Sequence, residues 1–225
     1  MNARLSTPMN SRIPSQNLAH QAKTKRMVQL ALMISIIFVM AFSPLGYLRT
    51  PGLTITFLTV PVAVGAVLMG PLAGAVCGLA FGITSLITAM TGGSPFSSML
   101  LSINPLALAF TCLVPRVLEG WLCGLIFAAL RPRFKNASYF IACLACPLLN
   151  TVLFMSSLIL FFYNTDYVQG LAASLGASNP LIFVILFVGI QGAIEAAACT
   201  VLGSAVSRTL AAALKREITV INLKE

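Results

Sequence analysis

Arg116 and Glu119, Glu195, and Asn150 stand near the middle of three segments otherwise built from Leu, Ile, Val, Ala, Phe and Gly. A charge at the centre of a bilayer costs about 2.5–3.5 kcal/mol on insertion scales, so such groups are buried between helices, paired, and tied to function. On helical geometry Arg116 lies roughly 16 Å from the start of its segment at Pro105, and Glu195 roughly 22 Å from the start of its own at Pro180. Glu119 is one turn deeper than Arg116 on nearly the same face, and Gln191 stands one turn before Glu195. Asn150, followed by Thr151, falls at similar depth in the third segment. Three helices carrying these groups can close a polar pocket of Arg116, Asn150, Thr151, Gln191 and Glu195, with Thr56 reaching it from the end of the first outer loop. A pocket of that kind suits a small polar solute, with Arg116 facing an anionic group. The same residues can also form a structural ion pair, Arg116 with Glu195 or with Glu119, that holds the bundle together. The sequence leaves both open.

Other chemistry finds less support. The one histidine, His20, lies in a polar terminal stretch, and there is no Gly-x-Ser-x-Gly elbow and no His-Glu-x-x-His pattern. Cys143 and Cys146 have the C-x-x-C spacing but sit in an apolar helix without further ligands, where cysteine behaves as a small hydrophobe. All six cysteines fall in predicted helices, so no extracellular disulfide and no metal or cofactor is expected. No G-x-x-x-x-G-K-[ST] loop occurs, so this chain does not bind ATP in the P-loop manner. A stand-alone transporter using Glu119 and Glu195 as a proton relay, or an intramembrane enzyme using Arg and Glu as acid and base, are the rival readings.

The elements that must position these groups are membrane helices. The chain is 58% hydrophobic and 8% charged, with mean hydropathy +0.95, whereas soluble domains carry roughly 25% charged residues. Its net charge of +9 reads as membrane topology and not as a nucleic-acid surface, because the basic residues cluster at the ends of apolar segments. The expected organisation is all-α, in one domain: a polar, disordered cytoplasmic tail over 1–26, six transmembrane helices over 27–214, and a cytoplasmic C-terminal tail over 215–225. The spans are Met27 to Leu45, Phe57 to Met69, Leu72 to Met90, Pro105 to Leu130, Ala137 to Tyr163 and Pro180 to Leu214. Phe57 to Met69 is short, and charge decides its status. With six crossings and both termini inside, 12 of the 14 Lys and Arg residues are cytoplasmic, Arg49 is outside and Arg116 is in the membrane. Without that crossing the basic run Arg131 to Lys135 would fall outside. A prokaryotic plasma membrane, multi-pass, is the expected location.

The outer connections, Tyr47 to Thr56, Thr91 to Asn104 and Asn164 to Asn179, are long and rich in Gly, Ser, Thr and Asn, while an inner one is a bare Gly70-Pro71 turn. That asymmetry suits a site opening outward. Gly70, Gly74, Gly78 and Gly82 recur every four residues on one helix, with Gly120 and Gly124 on the next, which predicts close helix–helix approach. Ala31 and Ser35 form another small-xxx-small pair on the first helix, either an internal packing face or a lipid-side docking face for another subunit.

Several of these stretches together resemble a known family. TPGLTITFLTVPVAVGAVLMGPLAGAVCGLAFGITSLI, then PFSSMLLSINPL, VPRVLEG and LLNTVLF in that order, are similar to the substrate-binding S component of energy-coupling factor (ECF) vitamin transporters. The match spans about residues 27 to 210 and is most similar to the pantothenate-type members. The resemblance implies six helices, a vitamin pocket capped by the loops after helices one, three and five, and no ATPase activity in this chain. It also implies partners: a transmembrane coupling (T) subunit and two ATPase subunits. In this family an Ala-x-x-x-Ala pair on the first helix meets the T subunit. Ala31 and Ser35 occupy those positions, and serine departs from the pattern while still permitting close approach. For a pantothenate-type solute, Arg116 would meet the carboxylate, and Asn150 and Gln191 the amide and hydroxyl groups.

Overall fold

A computed structural model describes residues 15–44, 46–50 and 53–222. Residues 1–14 of the expected tail, with Arg4 and Arg12, lie outside the described residues, as do Leu45, Pro51, Gly52 and Lys224. So do the side chains of His20, Arg49, Lys215 and Arg216. In chain order the elements are α1 (Ser15–Ala41), β1 (Tyr47–Thr50), β2 (Leu53–Thr56), α2 (Thr59–Met69) and α3 (Pro71–Met90). After these come α4 (Pro95–Ile103), α5 (Pro105–Leu130), α6 (Ala137–Phe162), α7 (Asp166–Ser174) and α8 (Pro180–Asn222).

The helical spans fall where the apolar segments predict them, and the differences lie at their edges. Helix α1 begins at Ser15, not Met27, so residues 15–26 are helical where a disordered tail was expected. Gln, Ala and Lys dominate that stretch, and they are good helix formers with no proline or glycine to stop them. The first connection is an antiparallel hairpin pairing Tyr47 with Thr56 and Thr50 with Leu53. The other two long connections each contain a short helix. Ser94 caps α4 by accepting the Ser97 N–H at 3.4 Å, ahead of Pro95. Thr165 caps α7 by accepting the Val168 N–H at 3.4 Å. A side-chain cap satisfies a backbone donor that the helix itself leaves bare, so both sequences carry local start signals.

Among the described residues five helices are long and apolar enough to cross a membrane: Lys23–Ala41, Pro71–Met90, Pro105–Leu130, Ala137–Phe162 and Gln191–Leu214. Helix α2 has 11 residues, roughly 16 Å of helix against a hydrocarbon layer of about 30 Å.

Glycines bring α3 against α5 at backbone distance. A Cβ added at Gly78 would strike the Arg116 carbonyl, one at Gly74 the Gly120 carbonyl, and one at Gly82 would come 2.7 Å from the Cys112 carbonyl. Gly120 returns the contact to Gly74, and a Cβ at Gly124 would lie 2.5 Å from the Pro71 Cα. Gly74, Gly78 and Gly82 are therefore internal packing, and Gly78 sits directly against Arg116, whereas Gly70 meets nothing and serves the turn between α2 and α3 with φ at +90°. Gly78→Ala should lower the melting temperature of the detergent-solubilised protein, because overpacking typically costs about 1–3 kcal/mol and backbone carbonyls cannot rotate away. An unchanged melting temperature would contradict this close approach.

Two apolar clusters flank the middle of the bundle. One gathers Val62, Ala66, Cys77, Phe81, Cys123, Cys146 and Cys199. The other gathers Leu100, Cys112, Met155, Phe162, Val168 and Phe183, and so joins α4 and α7 to α5, α6 and α8. Along α5, residues 116–119 fall between Cys112 and Cys123. Along α6, Asn150 falls between Cys146 and Met155, and along α8, Glu195 falls between Phe183 and Cys199. The polar groups thus occupy one layer between two apolar ones.

Candidate functional site

Arg116 is placed by a proline. Pro115 inside α5 lacks the N–H that would bond the Thr111 carbonyl four residues back. That carbonyl instead accepts from Arg116 Nη1 at 2.8 Å. The guanidinium lies 4.6 Å from the Phe154 ring centroid on α6 and 5.2 Å from that of Phe81 on α3. Two aromatic faces and one carbonyl hold the charge inside the bundle. Arg116 is buried, and its Nε has no partner.

Glu119, one turn along the same helix, is 0% exposed. Its Oε1 accepts from the Cys146 thiol at 3.4 Å, and its Oε2 is unpartnered. The Cys146 sulfur is also 3.8 Å from the carbonyl of Thr59, the first residue of α2. The N-terminus of α2 therefore opens onto this layer, where its bare N–H groups favour negative charge. Thr59 is fully buried and its own hydroxyl has no partner.

Glu195 on α8 is 7% exposed. Its Oε1 has no hydrogen-bond partner, and β2, which ends at Thr56, packs against α8. Arg116 is within electrostatic reach of both carboxylates, and Glu119 feels Glu195. Among the described residues neither carboxylate forms a direct ion pair with Arg116. The structural ion pairs that the sequence left open are not made as contacts.

Asn150 is brought to the same layer by periodicity. Cys146, Asn150 and Phe154 are four residues apart and share one face of α6. Cys146 touches Glu119 and Phe154 covers Arg116, so Asn150 faces α5 between them. Its Oδ1 is buried without a partner. Thr151 points to α8 instead, where its hydroxyl would lie 3.8 Å from a Cβ on Gly192. Gln191, half-buried, precedes that glycine and stands one turn before Glu195. Thr56 is half-buried at the end of β2, which packs against α8.

Of the expected residues, Arg116, Glu195 and Asn150 converge on one layer, with Thr151 and Gln191 at the adjoining α6–α8 seam and Thr56 at the end of β2 beside α8. Thr59, Phe81, Cys146 and Phe154 join them without having been expected. The first three carried no signal beyond apolar patterning. Phe154 was legible in principle, four residues after Asn150 on the same face.

On the α4/α7 side the layer is covered by aromatic rings. Phe96 of α4 lies 6.1 Å from Tyr167 of α7 and 5.2 Å from Phe187 of α8, and Phe183 stacks on Phe187 at 5.2 Å. Arranged this way, the site offers a guanidinium, two carboxyl groups, an amide and a hydroxyl, five of them with an unpartnered buried atom, beneath a roof of short helices.

Comparisons with known proteins agree with this architecture. A family model described as ECF transporter, substrate-specific component, matches residues 25–207. The chain is also similar to the pantothenic acid transporter PanT of Lactococcus lactis subsp. cremoris (strain MG1363). The two are 30% identical over 152 residues, covering 62% of this chain and 74% of that protein. With four-fifths of its length matched, this multi-pass membrane protein belongs to the family of ECF transporter substrate-specific components.

Proposed function

We propose that this chain is the solute-binding subunit for high-affinity pantothenate uptake in a prokaryotic plasma membrane, energised by a T subunit and two ATPase subunits. The single observation that carries the reading is the Arg116 guanidinium, buried between Phe81 and Phe154 with an unpartnered Nε and no direct carboxylate partner. Pantothenate presents one carboxylate, two hydroxyls and an amide. Its carboxylate pairs with Arg116, its amide with Asn150 and Gln191, and its hydroxyls with Glu195 and Thr151. Hydroxyl donation gives Glu195 a use beside an anionic solute. The similarity to a pantothenic acid transporter supports the same vitamin.

The proposed topology has six crossings and both termini cytoplasmic. In that topology α2 makes the short second crossing, after the hairpin of the first outer connection. Exposed Lys23, Lys25 and Arg26 and the exposed run 131–135 lie on the cytoplasmic side. Ala31 and Ser35 form the face that meets the T subunit. Both are exposed, and the Ser35 hydroxyl donates to the Ala31 carbonyl at 2.9 Å, so it presents no free donor to the membrane.

Pantothenate should raise the melting temperature of the purified chain in detergent by several degrees at 100 times its Kd, where linkage contributes about 2.7 kcal/mol. Riboflavin, folate and cobalamin should not. No shift with millimolar pantothenate, or a shift with one of the others, removes pantothenate as the solute.

A further inference from the structure

Helices α2 and α3 meet at the Gly70-Pro71 turn, and α1 reaches across to hold it. Helix α2 ends at Met69, and the Gly70 N–H closes its last turn on the Ala66 carbonyl at 3.0 Å. The final carbonyls of a helix have no donor of their own, and Pro71 brings no N–H to the turn. The Met69 carbonyl accepts instead from Arg26 Nη2 of α1 at 2.7 Å. A cation at a helix C-terminus also meets its partial negative charge, so Arg26 caps α2 in both respects. The same turn lies against Gly124 of α5, so the cap ties α1 to the packed interior.

Helix α1 is otherwise held lightly. Only 11% of its membrane span is buried, against 50% for α3. Its buried residues, Ile37 and Ala41, lie towards the hairpin, while residues 23–28 are exposed throughout. Between them Leu30, Met33 and Ile34 reach the core only in part. Arg26, Leu30, Met33 and Ile37 stand at i, i+4, i+7 and i+11, so Arg26 extends the inward stripe to the far end of the span. Ala31 and Ser35 stand roughly 140° and 180° around the helix from Arg26.

We infer that Arg26 is a positioning residue: by capping α2 it fixes the roll of α1 and turns Ala31 and Ser35 away from the bundle, towards the T subunit. Apolar burial has no direction and lets a lightly packed helix rotate about its axis, whereas a short hydrogen bond to a carbonyl is directional. Without the cap, the small-residue face of α1 presents itself over a range of angles. The solute layer is not disturbed, because Thr59, at the other end of α2, is roughly 15 Å from Met69. The destination of that face rests on the proposed coupling role; the cap itself belongs to the isolated chain.

Spin labels introduced at exposed Val28 and Leu72 of the full chain in nanodiscs read the cap directly, since the six native cysteines are all buried. Arg26→Met keeps the apolar stem and removes the donor, and Arg26→Lys keeps a charged donor. The distribution of distances between the labels should broaden in Arg26→Met and stay narrow in Arg26→Lys. In the complete transporter the maximal rate of pantothenate uptake should fall about tenfold in Arg26→Met, the scale of one lost charge-assisted hydrogen bond. Arg26→Lys should restore about half of that rate or more. The Kd of the isolated chain for pantothenate should be unchanged in both variants. Distances in Arg26→Met as narrow as those of the unmodified protein would overturn the cap. Broadened distances with full uptake, or a loss of solute affinity, would overturn the positioning role. If the unmodified chain binds no pantothenate, the solute assignment fails, and the label distances still decide on the cap.

Discussion

Arg116→Ala should weaken pantothenate binding by about 100-fold or more, since removing one partner of a desolvated charge pair costs about 2–5 kcal/mol. The loss has two sources. The solute carboxylate loses its forked donor, and Glu119 and Glu195 are left as buried carboxyl groups with no cation in reach. Arg116→Lys separates them. Lysine keeps the charge, but it cannot lie flat between Phe81 and Phe154 or present two parallel donors. It should therefore recover part of the affinity and most of the thermal stability. Isothermal titration with pantothenate, with the melting temperature of each ligand-free variant, reads both quantities. Full affinity in Arg116→Ala would place the solute carboxylate elsewhere.

Ala31→Trp should abolish uptake while leaving solute binding intact. Ala31 and Ser35 lie on an exposed face among Val28, Leu32 and Val39, themselves 63%, 56% and 66% exposed. Without side chains between them, two helices approach to backbone distance, and a tryptophan there props them apart. Uptake of labelled pantothenate into cells or proteoliposomes holding the complete transporter should fall roughly tenfold or more, as expected when a tight helix contact is lost. The affinity of the isolated chain should be unaffected, because the side chain points away from the polar layer. Retained uptake would move the coupling face off α1.

The close approach of two glycine helices was legible in the sequence. The i, i+4 glycines announced the α3–α5 contact, and the structure sets Gly74, Gly78 and Gly82 against α5 carbonyls. The apolar runs gave α3, α5 and α6 to within a residue or two, because a membrane helix must satisfy its own backbone and needs a fixed length to do so. The family was legible as well, through ordered motifs over most of the chain, and the match over residues 25–207 bears that out.

What lay beyond the sequence were contacts between elements far apart in it. Nothing in the spacing of Glu195 and Thr56 says that the strand ending at Thr56 packs against α8. Thr59 and Cys146 are 87 residues apart, yet meet beside Glu119. The sequence left open whether Arg116 faces a solute or pairs with Glu119 or Glu195, because spacing along a helix does not say which neighbours a side chain meets. The fold gave it the carbonyl freed by Pro115 and two aromatic faces instead. Periodicity fixes which face of a helix is polar. Which groups that face meets depends on how the helices are rotated and staggered, and that follows from packing across the whole bundle.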